Sequence, residues 1–209
     1  MEHTETVIEK KSIYEGRVFS VEKLKVRLED GRPTKREILH HSGGVCIFAL
    51  TPDAQIPMVR QFRIATGRAL WELPAGKLER GEDPLLAAKR ELREECGLTA
   101  SSWRRLAAVY TSPGYSDERL YLYLAEGTQQ GEQDLDPGEF LDLAFFTLDE
   151  LLDKIAREEL EDAKSLAAIL LARACLRGEV PGPDTDRPTR SASVTNSPDS
   201  GDQRRRERT

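Results

Sequence analysis

The segment GKLERGEDPLLAAKRELREECGL, residues 76–98, crowds acids in a pattern that suits metal chemistry. Wound as a helix at about 100° per residue, it gathers Glu91, Glu94 and Glu95 within about one quadrant, while Leu85, Ala88, Leu92 and Cys96 share a separate apolar stripe. One face packs and another collects negative charge. A solvated helix would normally interleave lysines among such acids. Glu91 and Glu95 form an i, i+4 like-charge pair, which costs a helix roughly 0.2–0.5 kcal/mol, and Glu94 adds to the same field. Hard divalent cations relieve that repulsion, and Mg²⁺ takes carboxylate oxygens together with water and substrate phosphate. Glu82 and Arg90 are spaced to pair and tie the preceding loop to the helix, although as an ordinary surface salt bridge the pair would be worth little.

These side chains need a scaffold. The helix has clear ends, with Asp83 able to cap it, Pro84 suited to its first position and Gly97 to stop it. Strand-like runs precede it at 17–28, 36–41, 45–50, 56–62 and 69–73, with a hairpin turn at Asp30-Gly31. Further strands are expected at 104–111, 119–125 and 140–146, then helices near 148–157 and 162–177. The pattern is α+β, with mixed strands enclosing a central helix and two helices at the end.

Composition narrows the class. A chain of 209 residues with 38 % apolar and 33 % charged residues and no apolar run near the roughly 20 residues of a membrane helix reads as a soluble globular protein. A formal charge of −6 gives no electrostatic reason to expect nucleic acid, though short anionic ligands stay open. Cys46, Cys96 and Cys175 are odd in number and far apart, which disfavours a disulfide scaffold or a zinc finger. The opening MEHTETVIEKKS lacks a secretory apolar stretch and is too acidic for a transit peptide, so a cytoplasmic location is expected. After Gly178 the composition turns to Pro, Ser, Thr, Asp and Arg, reading as a disordered tail over 179–209.

Written as G76-x5-E82-x7-R90-E91-L92-x-E94-E95-x-G97-L98, the acidic segment resembles the Nudix box, GX5EX7REUXEEXGU, at every specified position. The resemblance implies a Nudix α/β/α sandwich with a mixed sheet, preceded by a small N-terminal antiparallel sheet, and Mg²⁺-dependent hydrolysis of a nucleoside diphosphate linked to another group, with Mn²⁺ able to substitute. By analogy Glu91 and Glu95 are the main metal ligands, the carbonyl of Ala75 adds an oxygen, Glu94 assists, and Arg90 belongs to the same catalytic set. Gly76, Glu82 and Gly97 complete the box.

Segments outside the box resemble the ADP-ribose pyrophosphatase subgroup. In VRQFRIATGRALWELPAGKLE, residues 59–79, Arg63 matches the arginine that reaches substrate phosphate, with Arg60 a second candidate; guanidinium forks suit phosphate oxygens. Pro113 in TSPGYSDE lies fifteen positions after Leu98, a mark of the subgroup, and places Ser112 and Asp117 near the terminal ribose. In DPGEFLDLAFFTLDELL the resemblance makes Glu139 the residue that handles the attacking water, expected to be held firmly because it precedes an apolar strand; Glu132 and Asp134 are nearby competitors. The resemblance further implies a homodimer in which residues 1–42 form an exchanged sheet closing the partner's adenosine pocket, with Tyr14 and Phe19 as stacking candidates, Arg36 as a phosphate contact and 43–178 as the hydrolase domain. Plain core or surface roles stay open for each of these N-terminal side chains. Competing readings are ADP-glucose, UDP-glucose or NADH as substrate, a nucleotide sensor without catalysis, and an interaction module using the Arg-rich tail.

Overall fold

Residues 3–135 and 138–180 are described by the computed structural model; the expected tail lies outside them from residue 181 onward. β4 (Gly44–Ala49), GVCIFA, is buried along its whole length, and a strand buried on both faces requires a layer on each side. It lies in a four-stranded sheet of order β7-β4-β9-β8, built with β7 (Ala75–Lys77), β8 (Leu98–Tyr110) and β9 (Arg119–Gln130). The β4–β9 pair is parallel and the other two pairs are antiparallel.

Alternation along β4 divides the core. Cys46 and Phe48, with Leu122 and Leu124 of β9, pack against Leu151 of α2 (Leu148–Ala156) and against Ala168, Ile169 and Ala172 of α3 (Ala163–Leu176). Val45, Ile47 and Ala49 point the other way, onto Ala87, Ala88, Leu92 and Cys96 of α1 (Pro84–Cys96). Each fully buried aliphatic side chain contributes about 1.5–3 kcal/mol of transfer free energy, so the α/β/α layering fixes α1 against β4 from its apolar stripe. A second sheet, β10-β5-β6, comprises β5 (Ile56–Arg63), β6 (Arg68–Glu72) and β10 (Leu141–Phe146).

The ends of α1 match their sequence signals. Asp83 Oδ1 accepts from the N–H groups of Leu85 and Leu86 at 2.9 and 3.1 Å, Pro84 occupies the first turn, and Gly97 takes the left-handed conformation, φ 64°, that glycine tolerates without a Cβ clash. The last carbonyls of the helix, otherwise unpaired, are met by the segment after β9: Asp134 N–H donates to the Glu94 carbonyl at 3.1 Å and Gln133 Nε2 to the Glu95 carbonyl at 2.6 Å.

Three features depart from the sequence expectation. β1 (Thr6–Glu15) is a strand with every residue exposed, so it carries no burial alternation to read; pairing with β2 (Phe19–Arg27) makes it. β7 is only three residues long and is defined by pairing with β4. β8 starts at Leu98, directly after the helix stop, because its polar first half pairs with the continuation of β9 to Gln130. No helix among the described residues is long and apolar enough to cross a membrane.

β1, β2 and β3 (Pro33–His41) form a separate antiparallel sheet, turned at Gly31 with φ 85°. Its anchor is the 112–117 loop. Leu39 N–H donates to the Tyr115 carbonyl at 2.7 Å and Asp117 N–H returns a bond to the Leu39 carbonyl at 3.1 Å. His40 stands between two acids, with Nδ1 at 2.6 Å from Asp117 and Nε2 at 3.1 Å from Glu22. A ring with a carboxylate at each nitrogen donates to both as imidazolium, so the Asp117 hydrogen bond, against partial burial and with help from Glu22, raises its pKa. A raised histidine pKa stabilises the fold fully below the unfolded value near 6.5 and loses that contribution as pH climbs through the folded value. His40→Gln is therefore expected to lower Tm more at pH 6 than at pH 9; melts of both proteins at the two pH values check this, and an equal deficit at both would remove the charged bridge.

Candidate active site

The site is assembled where β7 meets α1. Ala75 N–H donates to Glu95 Oε2 at 2.9 Å, fixing the acid at the edge of the sheet. Gly76 follows with the Glu91 carboxylate against its α-carbon: an added Cβ would lie 1.8 Å from Glu91 Oε1. A larger residue there would have to displace the Glu91 carboxylate, while the backbone angle of Gly76 is itself ordinary.

Arg90 organises the acids. Its Nε and Nη2 donate to the two oxygens of Glu82 at 3.1 and 3.2 Å, and Nη1 donates to Glu91 Oε1 at 2.8 Å and Glu94 Oε2 at 3.0 Å. Glu82 in turn accepts from Glu79 N–H at 2.9 Å, so the expected link between loop and helix is present. Bonded to Arg90, Glu82 is held below the usual carboxylate range. Glu91 is pushed up, mainly by burial, which with the charges of Glu94 and Glu139 outweighs the pull of Arg90. Glu95 is pushed furthest, to about 8, by burial and by the neighbouring Glu91 and Glu139.

Glu95 is 4 % exposed and forms no ion pair among the described residues. Arg90 reaches Glu91 and Glu94 but leaves this carboxyl without a cation, and a buried charge needs one. Among the described residues no three acid, histidine or cysteine side chains converge into a finished coordination shell. The donor chemistry nonetheless fits a hard divalent ion: only oxygens, with surplus negative charge beside a backbone carbonyl.

These acids form one wall of a cleft of about 910 Å³ that also takes in Ala75, Gly76, Arg90 and Glu139. Glu139 is exposed, and Phe140, which precedes β10, is 88 % exposed, so the apolar strand does not clamp the acid as expected; its field is nevertheless felt at Glu91 and Glu95. The lining also holds the cations Arg63 and Lys164, the latter paired with Asp162. Arg63 makes a forked pair with buried Glu72, Nε to Oε1 at 2.6 Å and Nη2 to Oε2 at 2.8 Å.

Other expected contacts lie away from the cleft. Alternation on β5 turns Gln61 and Arg63 inward, while Arg60 stacks its guanidinium over Trp71 at 5.9 Å. Arg36 pairs with Glu5 on the N-terminal sheet. Tyr14 and Phe19 touch each other, ring centroids 5.5 Å apart, and are both exposed. The Ser112 carbonyl closes the turn at Tyr115 and Ser116, and Asp117 is engaged with His40 and His41 N–H. Glu132 and Asp134 do not line the cleft; Asp134 binds the end of α1. Sequence reasoning missed Arg17 and Val18, which bring the β1–β2 turn to the cleft mouth, as well as Lys164 and Glu72. Glu72 left a signal, an acid inside the apolar run ALWELPA.

The NUDIX domain family matches residues 40–169. The chain belongs to the Nudix family. It is 41 % identical over 167 residues to the ADP-ribose pyrophosphatase of Bacillus subtilis and equally to a methanol dehydrogenase activator of Bacillus methanolicus, in each case covering 79 % of this chain and 90 % of the relative. It is 38 % identical over 200 residues to the ADP-ribose pyrophosphatase of Mycobacterium tuberculosis, 92 % of this chain and 97 % of that protein. The crystal structure of an ADP compounds hydrolase superposes with a TM-score of 0.75 at 22 % identity, covering 84 % of this chain and 95 % of that one, which shows the Nudix fold. Nudix hydrolases generally use divalent metal ions, in keeping with the acid wall.

Because the Glu95 carboxyl binds its proton more tightly when folded, the metal-free protein loses stability as pH rises from about 4.5 towards about 8. Glu95→Gln should therefore match or exceed wild-type Tm in chelator, by a margin that grows from pH 5 to pH 8, yet gain nothing from added Mg²⁺ and lose turnover. Melts with chelator and with Mg²⁺ test this; full activity in the variant would remove Glu95 from the metal set.

Proposed function

We propose that this Nudix protein hydrolyses the diphosphate of ADP-ribose to AMP and ribose 5-phosphate, with Mg²⁺ as its metal and Mn²⁺ able to substitute. The observation that carries the reading is a single cleft lined both by the acids Glu91, Glu94, Glu95 and Glu139 and by the cations Arg63 and Lys164. Acids alone hold cations; with basic side chains lining the same cleft, it also accommodates the anion those cations accompany. Two ADP-ribose pyrophosphatases among the relatives support this choice of anion.

A divalent ion held by Glu91 and Glu95, with Glu94 and the Ala75 carbonyl beside them, would supply Lewis acidity toward the diphosphate. Arg63 donates to phosphate oxygens and meets the charge that develops on them. Glu139, exposed at the cleft edge, orients a water and takes its proton as the water oxygen bonds to phosphorus and the bridging P–O bond breaks. Arg90 keeps Glu91 and Glu94 in place throughout. The three cysteines are free and buried, which suits a reducing, cytoplasmic setting.

The N-terminal sheet exposes Val7, Ile8, Ile13, Tyr14, Val18 and Phe19. A second copy of the chain is the occupant we assign to it, which would bring Tyr14, Phe19 and Arg36 to the partner's cleft. Sedimentation of the full chain should give a dimer; a monomer at micromolar concentration overturns this part.

Turnover with Mg²⁺ should be compared at matched concentration for ADP-ribose, ADP-glucose, UDP-glucose, NADH, diadenosine polyphosphates and an oxidised deoxynucleotide. Fastest release of AMP and ribose 5-phosphate from ADP-ribose is expected, and a faster alternative would overturn the substrate while leaving the metal site. On the preferred compound Glu139→Gln should lower kcat with little change in KM; a pure KM effect argues against water handling.

A further inference from the structure

Glu72 ends β6 and is 2 % exposed, among the deepest charged groups among the described residues. Burial alone would raise its carboxyl, but the hydrogen bonds and charges of Arg63 and Lys164 more than reverse this and keep it ionised. The two cations use it differently. Arg63 grips both carboxylate oxygens with Nε and Nη2, so the plane of its guanidinium is set and its remaining N–H groups are left for the cleft that Arg63 lines. Lys164 binds Oε2 of the same carboxylate and also pairs with Asp162 at 3.0 Å.

Asp162 is itself tied down as the cap of α3, accepting from Ser165 N–H at 3.0 Å, and Ser165 Oγ accepts from Leu73 N–H at 2.7 Å. The first turn of α3 and the strand end that carries Glu72 are thereby stitched together. A lone Glu72–Arg63 pair would be electrically neutral; Lys164 returns a positive charge to the set, and the negative charge of Asp162 is met by the N-terminal end of α3.

We propose that Glu72 is a positioning residue that acts through Arg63, holding its guanidinium in the orientation in which its open edge meets a diphosphate, with Lys164 fixing Glu72 in turn. This rests on the reading of Arg63 as a phosphate contact. A free arginine would sample many rotamers and pay to order one on binding; the clamp supplies the order beforehand.

The test is a double-mutant cycle in the full chain on the compound it cleaves fastest. Glu72→Gln should lower kcat/KM by about tenfold or more, since misplacement of a binding group by about 1 Å can cost up to roughly 100-fold, and KM should rise. Mn²⁺ affinity should not change, because the acids of α1 and the Ala75 carbonyl of β7 are untouched. In an Arg63→Ala background the same substitution should cost less than about twofold, the mark of two residues acting as one unit. An undiminished loss in that background, a loss confined to Tm, or a fall in Mn²⁺ affinity overturns the proposal. If Glu72→Gln does not fold, Glu72→Gln with Lys164→Met removes the stranded cation and the cycle is run on that pair. If the wild type cleaves none of the panel, the functional reading fails separately, and the same cycle is read from the Kd for Mg²⁺-pyrophosphate.

Discussion

Crowding of like charge on one helix is the constraint around which the structure is arranged. Glu91, Glu94 and Glu95 cannot share a partly buried face of α1 unless something answers their field. Arg90 answers part of it, bonding Glu82, Glu91 and Glu94 with one planar group, and Ala75 N–H steadies Glu95. What is left over is a buried Glu95 that forms no ion pair among the described residues. The protein carries this frustration because both ends of α1 are firmly finished, by Asp83 and Pro84 at the start and by Gly97 and the 133–134 segment at the finish.

The short connection from Glu72 to Ala75 links Arg63 and Lys164 to the acids of α1. At one end Glu72 binds Arg63 and Lys164; at the other Ala75 binds Glu95. Between them Leu73 is latched to Ser165 and the Pro74 carbonyl accepts from Ile47 N–H at 2.9 Å. Four consecutive residues thus set the separation of acid and base without a flexible loop intervening. Glu72 is buried between two cations, so removing either one leaves its charge short of a partner, and these side chains hold the strands together.

What was legible in the sequence divides along physical lines. α1 was readable to the residue because caps, apolar stripe and acidic face are all local. β4 was readable because a strand buried on both faces is an unbroken apolar run. β1 was not, since a strand exposed along its length leaves no apolar alternation. Arg60 and Arg63 show the same limit at a single side chain: residue parity separates them onto two faces, but only the packed sheet says which face looks into the cleft. Lys164 and Arg17 reach the site from elements distant in sequence, with nothing nearby to announce them. His40 and Asp117 form a bridge between the N-terminal sheet and the 112–117 loop, a contact across 77 positions that no local pattern encodes.

Gly76 changes how the vulnerability of this site should be viewed. It bears no charge, binds no ligand through a side chain and has an ordinary backbone angle, yet the volume of a single methyl group there is already occupied by the Glu91 carboxylate. An exposed arginine such as Arg60 can vary at modest cost, whereas the smallest possible enlargement at Gly76 strikes the acid array directly. Tolerance to change at Gly76 is therefore set by how far the Glu91 carboxylate can move, not by the polarity of the residue that changes.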